Sequence, residues 1–181
     1  MLVRILSVMG AIIALAQSAA SAEDGGHPLS FMFGEWRGTA VIAQRDGGDL
    51  VLTQTERVGP LLGGDIVAIE GVGYRTNGEK AFNAFAIVSP TGADGAWEMR
   101  SYNRGYGGTY PFAPTATGFV WSTPAGPNAR NEYKADFADG VWRQTGHYVA
   151  DGAPPRKFID MTLERIGDTD WPAAGAVPAS E

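Results

Sequence analysis

Beyond the first two dozen residues, apolar side chains follow no helical period. Short runs rich in Val, Ile, Thr, Tyr, Phe and Trp recur instead, each fenced by Gly, Pro, Asn or Asp. Strands separated by turn chemistry produce this pattern. Ten strands are expected, at 35–44, 50–58, 65–75, 80–88, 97–103, 108–112, 118–122, 130–137, 141–149 and 157–165. The intervening segments RDGGD, GPLLGG, TNGE, SPTGADG, TPAGPN, ADG and ADGAPP supply the residues that tight turns need. Short links between many strands favour a closed sheet, which leaves no unpaired edge. The expected fold is therefore all-β: a single antiparallel up-and-down β-barrel of about ten strands. A two-sheet sandwich is the alternative. A short helical turn at 27–33 is expected to cap one end before the first strand.

Alternation along a strand assigns side chains to faces. Arg130, Glu132, Lys134 and Asp136 must share the watered face, which turns Asn131, Tyr133, Ala135 and Phe137 inward. Trp97, Met99, Ser101 and Asn103 point inward by the same logic, as do Trp142, Gln144, Gly146 and Tyr148, and Ile159, Met161 and Leu163. Leu50, Leu52, Gln54 and Glu56 are favoured inside. Segments 65–75 and 80–88 are apolar on both faces and stay unassigned. The interior this builds is aromatic and aliphatic with a few polar groups, the usual make-up of a small-molecule site. A filled core in which those polar atoms satisfy one another is the competing arrangement.

The N-terminus carries different information. A basic start, an apolar run over 5–16 and the small-x-small end Ala20-Ser21-Ala22 read as a signal peptide over 1–22. The run is shorter than the roughly 20 residues of a membrane span. Export to the periplasm or beyond follows, leaving about 159 residues, one domain's worth. The barrel domain is expected over 23–168, and the Pro- and Ala-rich stretch 169–181 as a flexible tail. With no cysteine in the chain, disulfides, thiolate catalysis and zinc–sulfur sites are excluded. The net charge of −6 and the scattered Lys and Arg exclude a nucleic-acid surface. No integral membrane segment follows the signal. A membrane-spanning barrel is disfavoured because the 50–58 strand has Gln54 and Glu56 on one side and Thr53, Thr55 and Arg57 on the other, so neither suits lipid.

Gly34-Glu35-Trp36 is similar to the opening signature of the calycin group, the lipocalins and fatty-acid-binding proteins, whose tryptophan closes the barrel base. TQTERVGPLLGGDIVAIEGVGY at 53–74, GFVW at 118–121 and DGVWRQTGHYVADGAPPRKFIDMTLERI at 139–166 resemble a bacterial family of lipocalin-like domains of unknown function. That resemblance spans about 29–165 and implies the barrel without an activity. It marks Glu56 and Glu70 as recurring acidic positions, and Trp121, Trp142, Met161 and Arg165 as aromatic and terminal ones. The chain departs from the pattern at His147 and Asp160, where glutamates are expected.

The candidate ligand-binding set is thus Trp36, Glu56, Glu70, Met99, Ser101, Asn103, Trp121, Tyr133, Trp142, Gln144 and Tyr148. Glu56 and Glu70 on neighbouring strands suggest either a cation site or an acid–base pair, against a plain ion-pair network with Arg57, Arg75 or Arg100. No Gly-x-Ser-x-Gly elbow or phosphate loop is present. YNRGYGGTYPF at 102–112 reads as a twisted hairpin or a lid at the barrel mouth. Zinc is disfavoured by a count of two histidines, and no cofactor is expected. Nitrobindin-like barrels, more distant in resemblance, hold haem through one histidine, which would fall to His147 here, although alternation turns it outward. The expected partner is a small hydrophobic or amphipathic molecule. The rivals are an isomerase, cyclase or lyase that moves protons with Glu56, Glu70 and Tyr133, and a protein-interaction module.

Overall fold

The computed structural model describes residues 26–92 and 95–171, so the expected signal peptide at 1–22 and most of the stretch expected as a tail lie outside the described residues. Ten strands close into one barrel: β1 (Gly34–Ala43), β2 (Asp49–Leu61), β3 (Ile66–Tyr74), β4 (Lys80–Pro90), β5 (Trp97–Asn103), β6 (Tyr106–Pro114), β7 (Gly118–Pro124), β8 (Ala129–Ala138), β9 (Val141–Ala150) and β10 (Arg156–Gly167). Every strand pairs antiparallel with its neighbour in sequence, and β1 closes on β10. The sandwich alternative is set aside. The helical turn shrinks to a 3₁₀ turn over Ser30–Met32. Its three residues are too few for an α-helix, and the chain leaves it in extended conformation at Phe33.

Most hairpin turns use glycine at positive φ, as at Gly78 and Gly140. The β5–β6 connection instead places Arg104 at positive φ before Gly105, a sharp hairpin rather than a separate lid.

The two ends of the barrel differ. At one end β1 begins and β10 finishes, and the segment before β1 folds across the opening. Leu29 and Met32 are fully buried there. His27 accepts the Leu29 N–H at 3.0 Å and packs its ring on Phe33 and Trp97. Partial burial lowers its pKa, opposed by a backbone hydrogen bond at Gly64. Above this plug lies the core, where Trp36 meets Phe137 and Trp142 edge to face at 5.4 and 5.9 Å. The Trp36 indole donates to the Met32 carbonyl at 3.0 Å. The other end, ringed by the β1–β2, β3–β4, β5–β6, β7–β8 and β9–β10 turns, is the mouth.

One ladder is short. The β6–β7 pair is joined at three positions, from Phe112↔Trp121 to Pro114↔Phe119, whereas every other adjacent pair is joined at seven or more. Pairing stops beside Pro111, which has no N–H to give. Toward the mouth, β6 and β7 therefore part.

Candidate functional site

Between the core and the mouth the barrel is hollow, with a cavity of about 290 Å³. It exists because opposite walls are unequal. On β3, β4 and β5 a band of small inward residues, Gly71, Ala84, Ala86 and Ser101, sits among the larger Ile69, Phe82 and Met99. Facing them are Trp121, Tyr133, Trp142, Phe112 and Phe119. Trp121 and Tyr133 are cross-strand neighbours on β7 and β8, stacked at 4.1 Å and 8°.

Of the residues singled out from sequence, Glu56, Met99, Ser101, Asn103, Trp121, Tyr133, Trp142 and Gln144 line this cavity. Three do not. Trp36 lies beneath it, buried as part of the floor's support. Tyr148 sits half-buried at the rim, with the Arg156 guanidinium over its ring at 5.7 Å. The irregularity between Lys157 and Ile159 shifts the β9–β10 register beside it.

Glu70 faces the outside. The β2–β3 register pairs Arg57 with Glu70 and Glu56 with Gly71, so the two carboxyls stand on opposite faces of the sheet. They cannot share a cation or a substrate proton. Glu70 instead belongs to an exterior hollow with Phe85, Tyr102 and Arg104. Arg57 pairs with Glu35 at 3.4 Å and Asp170 at 3.3 Å, also outside. There Trp171, in the stretch expected as tail, packs against Phe85 and under the Arg57 guanidinium.

Glu56 is the one carboxyl of the interior. Its Oε1 accepts from Gln54 Nε2 at 2.8 Å. A Cβ placed on Gly71 would come within 2.7 Å of both carboxyl oxygens, so the side chain lies directly across that glycine. Gly73 likewise makes room for Gln54 and Leu52. Burial pushes the Glu56 pKa up to about 8, helped by the Glu70 charge across the sheet and opposed by the Gln54 hydrogen bond. The side chain is enclosed by the barrel wall, and the surface it keeps is exposed to the hollow. Tyr133 is raised as well, first by burial and then by Tyr110, so it stays a hydrogen-bond donor at neutral pH.

Two polar atoms at the cavity are buried without a partner, Trp142 Nε1 and Asn103 Oδ1. Orphaned buried polar groups are uncommon and call for an explanation.

His147 is on the outer face of β9, opposite Glu132 on β8 and Lys157 on β10. No histidine lines the cavity. These residues do not fit a haem held inside the barrel by an axial histidine. Among the described residues no cluster of His, Asp or Glu is arranged to hold a metal ion. No described helix is long and apolar enough to cross a membrane.

Sequence reasoning missed the small wall. The signal was present in Glu70-Gly71-Val72-Gly73, where glycine at alternate positions strips one face of a strand. Phe82, Phe158 and Ile159 also join the lining.

No protein-family model matches the chain, and no curated protein matches it. Among solved structures it is similar to the S-type phycobiliprotein lyase CPES from Guillardia theta, with a TM-score of 0.51 at 11% sequence identity. The match covers 77% of this chain and 90% of that one. At that identity the likeness is one of fold alone, a closed antiparallel barrel resembling that of the lipocalins.

Proposed function

We propose that this protein is an exported binding protein that holds a small, largely apolar molecule inside its barrel. The observation that carries this reading is the cavity and its largely apolar lining. A hollow lined by aromatic and aliphatic side chains, with the Glu56 carboxyl, Gln54, Ser101 and Tyr133 among them, has the make-up of a small-molecule site. The volume sets the scale. A dry cavity of about 150 Å³ takes a benzene ring, so about 290 Å³ suits roughly a dozen non-hydrogen atoms. The similarity to a phycobiliprotein lyase supports a barrel suited to ligands and carries no activity across. The resemblance to bacterial lipocalin-like domains and the expected leader at 1–22 belong to the same reading, which takes the protein to the periplasm or beyond.

The test is native mass spectrometry of the mature chain recovered from periplasm. A reproducible extra mass of roughly a dozen heavy atoms, lost when Ala86→Trp fills the hollow, is the expected result. A bare chain in repeated preparations, unchanged by the substitution, would count against a held ligand.

A second reading has one observation behind it. A carboxyl raised to about 8 and opened to a cavity that Tyr133 also lines is equipped for proton transfer. An enzyme of the isomerase or lyase type would lose turnover on Glu56→Gln while keeping its affinity.

A further inference from the structure

The small wall of the cavity is also a row in register. Glu56 on β2 pairs with Gly71 on β3, Gly71 with Ala84 on β4, and Ala84 with Asn103 on β5. All four point inward and line the hollow. Neighbouring strands lie about 4.8 Å apart, so the two polar residues at the ends of the row are separated by at most about 14 Å of sheet. Between them the wall carries one hydrogen and one methyl group. The result is a trough running from Glu56 to Asn103, with the Glu56 carboxyl as its acceptor. The rings of Trp121, Tyr133 and Trp142 complete the lining.

Charge narrows the occupant further. The lining holds one carboxyl and no Lys, Arg or His. Of the two Glu56 oxygens, Oε1 takes the Gln54 hydrogen bond, and Oε2 has no partner among the described residues. An anionic molecule would enter a site without a cation to receive it, against a like-charged or neutral acid. A protonated amine would find an open carboxyl oxygen in a hollow otherwise lined by apolar and aromatic side chains, where a charge-assisted hydrogen bond is strong.

We infer that the cavity selects small aromatic amines, with the ammonium group on Glu56 and the ring lying in the Gly71–Ala84 trough against the Trp121–Tyr133 wall. This rests on the reading that the cavity holds a small ligand, and names its class. Neutral Glu56 gives up its proton to solvent as the ammonium arrives, so one proton leaves per amine bound. The titratable groups around Glu56 are few. Glu70 acts from the outer face of β3, and Tyr133 with Tyr110 behind it lies on the far wall. Arg57, the next residue, points outward to Glu35 and Asp170. The pH dependence of amine binding is therefore that of Glu56 itself.

The experiment is calorimetric titration of the mature full chain with three molecules of one shape: tryptamine, tryptophol and indole-3-acetate. Ionisation at about 8 leaves roughly a tenth of Glu56 charged at pH 7 and nine-tenths at pH 9. Tryptamine affinity should rise about tenfold over that interval and exceed that of tryptophol at pH 9. Tryptophol should not respond to pH, and indole-3-acetate should bind most weakly. Glu56→Gln should bring tryptamine down to the level of tryptophol and remove its pH response. Retained tryptophol affinity in the variant shows that the barrel is intact. Equal affinities for amine and alcohol in the unsubstituted protein, or preference for the acid, would overturn amine selection while leaving a ligand cavity. Binding of none of the three would overturn the cavity reading as well.

Discussion

Glu56→Gln should make the protein more stable at neutral pH, although it removes a buried hydrogen-bonding carboxyl. In the unfolded chain this group ionises near its ordinary value of 4.5; in the barrel, burial holds it neutral up to about 8. A raised carboxyl binds its proton more tightly when folded. Its contribution is thus undiminished below pH 4.5 and is lost as pH rises from 4.5 to 8. Each pH unit across that window costs about 1.4 kcal/mol, or about 3 kcal/mol by pH 7. Water on the cavity side solvates the carboxyl and brings the expected penalty to about 1–3 kcal/mol. Glutamine has the shape of the neutral acid, and its carbonyl can accept from Gln54 as Oε1 does. The two proteins should have similar stability at pH 4.5. At pH 7 the variant should lead by about 1–3 kcal/mol, and the gap should widen to pH 8. Urea unfolding followed by tryptophan fluorescence at pH 4.5, 6, 7 and 8 measures this. Comparing the two proteins at each pH cancels every other titrating group. A difference that stays flat from pH 4.5 to 8, or a variant that is the weaker at pH 8, would refute the argument.

Gly71→Ala puts a methyl group within 2.7 Å of both Glu56 oxygens and drives the carboxyl away from Gln54. A loss of about 1–2 kcal/mol in urea unfolding is expected, since overpacking outweighs the small gain of alanine over glycine in a strand. Trp36→Phe removes the indole N–H that ties the barrel floor to Met32 and thins the edge contacts with Phe137 and Trp142. It should cost about 1–3 kcal/mol, read as a lower Tm, without altering the cavity wall.

The strands were legible because turn residues fence each of them and because charge fixes the faces of several. Arg130, Glu132, Lys134 and Asp136 leave β8 one possible orientation, and Tyr133 duly faces the hollow. β3 and β4 offered no such lever, being apolar on both sides, so the small wall that creates the cavity stayed hidden. The misplacement of Glu70 beside Glu56 has a related cause. Which of two residues faces inward after a hairpin depends on the number of residues in the turn that pair, and a slip of one exchanges the faces. GPLLGGD extends β2 as far as Leu61 before the turn, which sets Arg57, not Glu56, opposite Glu70. Tyr148 keeps the register that alternation gives it, opposite Asn131, and misses the lining because it lies nearer the mouth than Gln144.

The short ladder between β6 and β7 gives the barrel a mechanical character. With those three pairings released, the chain is still one continuous curled sheet, running from β7 through β10 and β1 to β6. The ring behaves as a split washer: it can widen at a single slit while the other ladders stay zipped. The slit opens beside Tyr110, Trp121 and Tyr133, the aromatic side of the hollow. Its bore is therefore braced all round except along that one line, where three pairings alone hold the two strands together.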